Sequence, residues 1–314
     1  MSDNNILNPV RGGMTKRRRD GLFIFFMLLP SVVMVLIFSY YPVLRGIPMA
    51  FQRYSLWDLF NTPFVGLDNF RTLFARPDFM ITLPNTLQWV ISSLAGQFII
   101  GFALAMFLRR SFRGRGIYQG AVFFPWAVSG FMIGILWRWM YNGSYGVIND
   151  ILIRFQIVDR ADPVGFLSDR RYAMWSCIAA NIWYGIAFFA IMIQAALQGV
   201  PEELYEATEV DGASKFQQFV HITLPFIRPV ISLTILLRVI WIFNFADLIY
   251  ALTRGGPGGA TEIMTSYQLN LVMFGNDYGL AAAMGVILTL IMAAFTIIYL
   301  TALRMTGEGG GFGE

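Results

Sequence analysis

The sequence predicts an all-α integral membrane protein with six transmembrane helices and a polar hairpin between the fourth and the fifth. Three observations support this prediction: 56% of the 314 residues are hydrophobic, only 13% are charged, and apolar segments recur at bilayer-spanning length. Soluble domains contain roughly 25% charged residues, so most of this surface is expected to face lipid. The mean hydropathy of +0.58 agrees.

Six apolar segments are long enough to cross the hydrocarbon core, which needs about 20 helical residues. These segments are 22–43, 84–108, 117–140, 173–198, 229–252 and 279–303. The first has no small-residue cleavage site behind it, so we expect a retained span and not a signal peptide. The predicted domains are a cytosolic tail 1–20, a transmembrane domain 21–304 and a flexible tail 305–314.

Basic residues set the expected orientation. The connection 109–115 contains four arginines and no acid, so the positive-inside rule places it in the cytosol. Six spans then leave both termini cytosolic. The net charge of +4 follows from basic clusters beside apolar spans, and we predict no nucleic-acid binding. A single cysteine and a single histidine leave little for a metal or thiol site, so none is predicted.

The connection 199–228 is acidic, although it joins two apolar spans. Pro201, followed by two glutamates, is typical of a helix start, and Gly212 can end that helix. A second short helix is expected at about 213–221. Leu224-Pro225 is expected to break the chain before the fifth span.

This hairpin carries a spaced motif: Glu206-Ala207, then Gly212, then Ile222-Thr-Leu-Pro225. The motif resembles the coupling loop of ABC importer permeases, which binds the ATPase subunits. The resemblance implies that the coupling residues are Glu203, Glu206, Ala207, Asp211, Gly212, Ile222, Leu224 and Pro225. The sequence departs from the family pattern at Thr208, where a second alanine is usual.

The loop after the fifth span carries a second motif, in which Thr253 precedes Gly255-Gly256-Pro257 and Thr261 follows. This loop resembles one found in carbohydrate importer permeases, and a Gly/Pro cluster alone would indicate only a turn. With both motifs in this order, the chain resembles the permease subunits of maltose-type, binding-protein-dependent ABC sugar importers. The resemblance implies transport of an oligosaccharide or disaccharide.

The resemblance also implies partners: a second homologous permease, two ATP-binding subunits and an extracytoplasmic sugar-binding protein, in a bacterial or archaeal inner membrane. The sequence contains no Gly-x-x-x-x-Gly-Lys-Ser/Thr phosphate loop, so the chain is expected not to hydrolyse ATP itself. ATP and magnesium are expected on the partner ATPase subunits, with no cofactor bound directly here.

Polar and aromatic residues in the fifth span are candidates for the solute path. Arg238, Trp241, Asn244 and Asp247 recur at every third position, so they form a strip that winds slowly round a helix. Polar groups inside spans are functional candidates because they are costly there. An indole ring can stack on a sugar, while an amide can bond to its hydroxyl groups.

The fourth span has a similar row, in which Asn181, Tyr184 and Phe188 share one helix face. We expect this face to line the path with the strip of the fifth span. Asn181 and Asn244 could equally be hydrogen-bonded between helices. The aromatic-rich outer connections, 44–83 and 141–172, are either interfacial anchors or a surface for an external partner.

Three other function classes stay open. The chain could be an ABC permease for glycerol phosphate, polyamines or amino acids, although a phosphate would favour several arginines along the path. It could be an ion-coupled secondary transporter, but Asp247 is then the main intramembrane carboxylate. An integral membrane enzyme is least favoured, because no nucleophile–base set is evident in the sequence.

Overall fold

The computed structural model describes residues 16–58, 60–109 and 112–305, with residues 16–19 as backbone only. Residues 1–15 and 306–314 of the predicted tails (1–20 and 305–314), the side chains of residues 16–19 and Arg110 of the basic connection lie outside the described part of the structure. The described chain is helical almost throughout, as predicted. Two isolated bridges, Gln52 with Phe64 and Ser55 with Asp277, are the extended pairings found among these residues.

Fourteen α-helices follow one another in the described residues, joined in three places by short π or 3₁₀ segments. They are α1 (Lys16–Val35), α2 (Tyr41–Met49), α3 (Asp68–Ala75), α4 (Pro77–Arg109), α5 (Arg115–Phe123), α6 (Gly130–Met140), α7 (Val147–Arg154), α8 (Arg170–Gln198), α9 (Glu202–Val210), α10 (Lys215–Gln218), α11 (Leu224–Phe243), α12 (Ala246–Leu252), α13 (Met264–Met273) and α14 (Tyr278–Met305).

Among the described residues, five continuous helices are long and apolar enough to span a membrane, and a bent pair of helices makes six if it is one span. The span predicted at 117–140 is not one straight helix, because α5 and α6 meet at 103°. Pro125 lies in the 3₁₀ turn between them and lacks a backbone N–H to continue a helix. The side chain of Ser129 then caps α6 by accepting a bond from the Met132 N–H at 3.4 Å.

The fifth span also differs from the prediction. One continuous helix runs from Lys215 to Phe243, so the expected separate helix at 213–221 and the break at Pro225 are both wrong. A proline ring clashes with the carbonyl four residues earlier. Here that carbonyl belongs to His221, inside a π-helical turn (Phe219–Thr223). The wider turn accommodates Pro225 without a break.

The real break in this span comes later, at Asn244–Phe245. The Asn244 side chain donates to the Ile240 carbonyl at 2.8 Å, and Phe245 leaves helical geometry with φ −87° and ψ 60°. The chain resumes as α12, so Asp247 does not continue the helical strip that begins at Arg238.

The chain divides into two units, residues 16–49 and 50–305 in the described part. In the first unit, α1 and α2 are joined by a π-helical turn (Leu36–Tyr40), again four residues before a proline, Pro42. This 30-residue span, Asp20–Met49, contains an 18-residue window with a mean hydropathy of 2.7, and none of that window is buried.

In the second unit, α4 packs closely against α8. Gly101 permits this contact, because a Cβ there would lie 2.6 Å from the Phe189 Cβ and 2.9 Å from the Ile186 carbonyl oxygen. The buried Trp89 side chain of α4 also donates to the Ile242 carbonyl at 2.9 Å. These contacts join α4 to the middle of α8 and to the end of α11 at Ile242.

Candidate functional site

The predicted coupling hairpin, residues 201–223, presents an exposed stripe along α9. The stripe combines two acids, a small residue and an apolar one at helical spacing: Glu203, Glu206, Ala207 and Val210 are all exposed, Val210 by 89%. Asp211 and Gly212 follow, also exposed. Gly212 has φ +76°, a conformation that favours glycine. The hairpin therefore offers a mixed acidic and apolar surface.

Tyr205 ties the opposite face of α9 to two spanning helices. Its hydroxyl bonds to the Thr223 hydroxyl at 2.8 Å, and Thr223 is buried at the end of the π-helical turn. The Arg109 guanidinium at the end of α4 lies over the Tyr205 ring, 4.7 Å from its centre. A cation–π contact of this kind contributes about 0.5–1 kcal/mol. A cleft of about 1060 Å³ lies between the hairpin and the end of α4.

Thr208, the departure from the family pattern, is part of the same joint. Gln218 is buried, and its amide donates to the Thr208 hydroxyl and to the Tyr205 carbonyl, each at 3.3 Å. Lys215 forms an ion pair with Glu209 and holds the pKa of that carboxyl below its ordinary value, chiefly through the hydrogen bond. The two arms of the hairpin are thus held by side-chain contacts.

A buried polar junction connects α4, α8 and α11 near mid-span. Arg238 is 3% exposed, and its Nε donates to the Gln97 Oε1 at 2.6 Å. The Gln97 Nε2 donates in turn to the backbone carbonyl oxygen of Asn181 at 2.9 Å and to its side-chain Oδ1 at 3.2 Å. Gly185 makes room for this arrangement, because a Cβ there would lie 2.2 Å from both the Arg238 Nη2 and the Gln97 Cδ.

The predicted row on the fourth span is therefore only partly at the surface. Asn181 is fully buried in this polar junction, so it does not reach a path in this conformation and acts between helices. Tyr184 is half-buried and stacks on Phe245, with ring centres 5.2 Å apart. Phe188 is buried and packs against Trp241 at 5.0 Å.

The predicted strip on the fifth span reaches the surface at three positions. Trp241 is 46% exposed, and Asn244 and Asp247 are exposed as well. Asn244 uses one of its amide hydrogens for the Ile240 carbonyl, and it lines a groove of about 690 Å³ with Gln268 and Thr289. An indole and an amide are thus both exposed three residues apart on this span, although Trp241 does not line that groove.

The loop 253–263 at the other end of the molecule is held by several hydrogen bonds. Asn85 of α4 donates to the carbonyls of Gly259 and Glu262, at 2.9 and 3.0 Å, and the Thr253 and Thr261 hydroxyls are 2.6 Å apart. Gly255 has φ +88°. The loop motif Gly255-Gly256-Pro257 is therefore part of a fixed structure, and we propose no direct solute contact for it.

Glu262 makes the stability of this loop depend on pH. Burial raises the pKa of its carboxyl above the ordinary value, Asp78 adds to the rise, and the Asn270 amide opposes it. A carboxyl whose pKa is raised in the folded state contributes its full stability at pH values below its ordinary pKa. That contribution is lost as the pH rises through the raised pKa.

Glu262→Gln is therefore expected to flatten the fall in stability with rising pH, because the variant has no ionisable group there. The melting temperature in detergent, measured from about pH 4 to about pH 8, checks this against wild type. Asp162→Ala, which removes an exposed acid elsewhere, is the control. Equal slopes for wild type and Glu262→Gln would contradict the expectation.

Sequence reasoning missed several residues that organise these regions. Gln97 is an amide within an apolar span, a signal that was readable from the sequence. Tyr205, Thr223 and Gln218 gave no such signal, because their roles depend on where the hairpin folds back. Some aromatic side chains of the connections 44–83 and 141–172 are exposed, Trp57 by 82% and Phe155 by 75%, whereas Phe79 is buried. The exposed ones fit both interpretations of these connections.

Comparisons with known proteins agree with this architecture. A family model for the inner-membrane component of binding-protein-dependent transport systems matches residues 97–305. The trehalose/maltose transport system permease protein MalF of Thermococcus litoralis is 33% identical over 95% of this chain and 97% of its own length. The sulfoquinovosyl glycerol transport system permease protein SmoG of Agrobacterium fabrum is 30% identical over 91% of each chain.

A solved structure is similar over nearly the whole chain. The bacterial ABC transporter that imports the acidic polysaccharide alginate contains a chain with a TM-score of 0.80 and 27% identity, covering 92% of this chain and 98% of that one. A second structure of that transporter holds a periplasmic protein with a bound alginate pentasaccharide. The chain described here therefore belongs to the family of inner-membrane components of binding-protein-dependent transport systems.

Proposed function

We propose that this chain is the membrane-spanning permease subunit of an ATP-driven ABC importer that translocates a sugar, an oligosaccharide or disaccharide delivered by an extracytoplasmic binding protein. It acts in a bacterial or archaeal inner membrane, with the coupling hairpin and both termini on the cytosolic side. The chain is a transport component, and its partners hydrolyse the ATP.

The exposed stripe on α9 carries this proposal. Glu206 and Val210 lie on a surface that the chain itself leaves uncovered, while Tyr205 on the other face is fixed to two spanning helices. A helix that is free on one side and anchored on the other suits the transmission of motion. Two ATP-binding subunits are the partners that the family resemblance implies for this surface.

The transport cycle follows from that arrangement. When ATP closes the two ATP-binding subunits, the coupling hairpins of this chain and of a second homologous permease move together, and the spans open outward to receive the sugar. Hydrolysis reverses the motion. The span Asp20–Met49 has its apolar side chains exposed, and we propose that lipid and the second permease cover it.

A sugar is the cargo that the exposed face of α11 suits best. Trp241 offers an aromatic surface for the C–H groups of a pyranose, and Asn244 retains hydrogen-bonding groups for hydroxyls. The relatives named above transport trehalose and maltose, sulfoquinovosyl glycerol and alginate, which supports a saccharide without choosing among them.

Trp241→Ala and Asn244→Ala are expected to lower ATP-dependent sugar uptake about tenfold in liposomes that contain the assembled transporter. The reason is the loss of a stacking surface or of a hydrogen bond, each of about 1 kcal/mol or more. Ile298→Ala, an exposed apolar position on α14, is the control. Unchanged uptake kinetics in both path variants would remove this face from the path.

A further inference from the structure

Arg238 places a positive charge deep in the membrane-spanning part of the chain. Its partner Gln97 lies about 18 Å from the end of α4 at Arg109, at 1.5 Å per residue, within a hydrocarbon core of about 30 Å. Charged side chains at this depth are costly and mark functional positions. The guanidinium is held in a fixed position, since Gly185 leaves the space that it occupies.

Neutral groups surround this charge. Its nearest partners are the Gln97 Oε1 at 2.6 Å and the Phe188 ring, whose centre lies 5.6 Å from the Arg238 Cζ. Within the described residues, the ion pairs closer than 4 Å do not include Arg238. Asp247, the next acid along the chain, lies in α12 beyond the helix break. The positive charge is therefore not neutralised at contact distance by the described part of this chain.

The charge lies close to the exposed face that we propose for the sugar path. Phe188 contacts both sides: its ring centre is 5.6 Å from the Arg238 Cζ and 5.0 Å from the Trp241 ring centre. The guanidinium is thus at most about 11 Å from the Trp241 ring. At an effective dielectric constant of about 20, a unit charge at that distance lowers the local occupancy of another cation roughly tenfold.

We propose that Arg238 is an electrostatic barrier to small cations, protons and sodium ions, in the sugar path. The inference rests on the proposed path along Trp241. A passage wide enough for a sugar would let protons leak across an energised membrane, and a fixed positive charge beside the path opposes this. Arginines in other pores exclude cations by the same physics. Neutral sugars and anions pass this charge without repulsion.

The test is a flux measurement on the assembled transporter in liposomes during ATP turnover. Arg238→Gln is expected to raise proton and sodium leak about tenfold, because it removes the charge, and not to raise chloride leak. Arg238→Lys keeps the charge and is expected to stay near wild type. Asn181→Asp is a second route, because it adds a neutralising carboxylate to the same junction with little change of shape, and cation leak should again rise.

Gln97→Leu is the matched control, since it loosens the same junction while the charge remains. Equal rises in cation and anion leak for Arg238→Gln and Gln97→Leu would show that packing, not charge, seals the path. Unchanged cation leak in both Arg238→Gln and Asn181→Asp would overturn the proposal. Sugar uptake by wild type in the same liposomes is read separately: its absence counts against the proposed function, not against the barrier.

Discussion

Replacing Tyr205 with alanine is expected to uncouple ATP hydrolysis from transport, raising the ATP consumed per sugar imported by at least tenfold. The variant loses the hydroxyl contact with Thr223 and the ring under Arg109, together about 2 kcal/mol. A movement of α9 would then no longer be passed firmly to α4 and α11. Tyr205→Phe, which keeps the ring, should fall between wild type and alanine.

The measurement compares ATPase rate and sugar uptake in the same liposomes. Leu204→Ala is the control, because Leu204 is the exposed neighbour on α9. A double-mutant cycle of Tyr205→Phe with Thr223→Val isolates the hydroxyl pair, and the two changes should be non-additive. If Tyr205→Ala keeps the ATPase bound and also keeps the wild-type ratio, motion does not pass through this residue.

The sequence was sufficient for the helical membrane fold, since apolar length and charge clustering reflect the bilayer directly. The sequence was insufficient to decide whether a segment forms one continuous helix or two separate helices. Pro225 was expected to break the helix, yet the π-helical turn at Phe219–Thr223 accommodates it. A proline in the sequence indicates a disturbed helix, but not whether that helix breaks or widens. The bend between α5 and α6 likewise depends on a single proline, Pro125. The size of that bend depends on tertiary packing, which a local sequence pattern does not give.

The candidate site residues also divide into those that a sequence motif indicates and those whose role depends on tertiary contacts. Glu206 and Gly212 were selected because their spacing resembles a known loop. The structure leaves both exposed, and their role in coupling stays a prediction. The role of Asn181 was not identifiable from the sequence, because helical periodicity gives a shared face but not the direction of that face. Burial decides it: Asn181 faces Gln97 of α4, a partner 84 residues away in sequence. Contacts of that kind become visible only in the folded chain.

Changes on the exposed stripe should prevent the ATP-binding subunit from binding. Glu206→Ala removes one member of a proposed charge pair with that subunit, and such a loss costs about 2–5 kcal/mol. Gly212→Asp adds a side chain at φ +76°, where left-handed geometry costs about 1–2 kcal/mol, and it adds bulk to the contact surface. Each variant is expected to weaken the complex by about thirtyfold or more.

Co-purification of the chain with its ATP-binding subunit tests this docking directly. Wild type and Asp162→Ala, which alters an exposed acid far along the chain from the hairpin, should retain the subunit in a stable complex. Glu206→Ala and Gly212→Asp should lose most of it, while remaining folded by melting temperature. Equal retention of the ATP-binding subunit by all four proteins would contradict the role of the hairpin as its docking site.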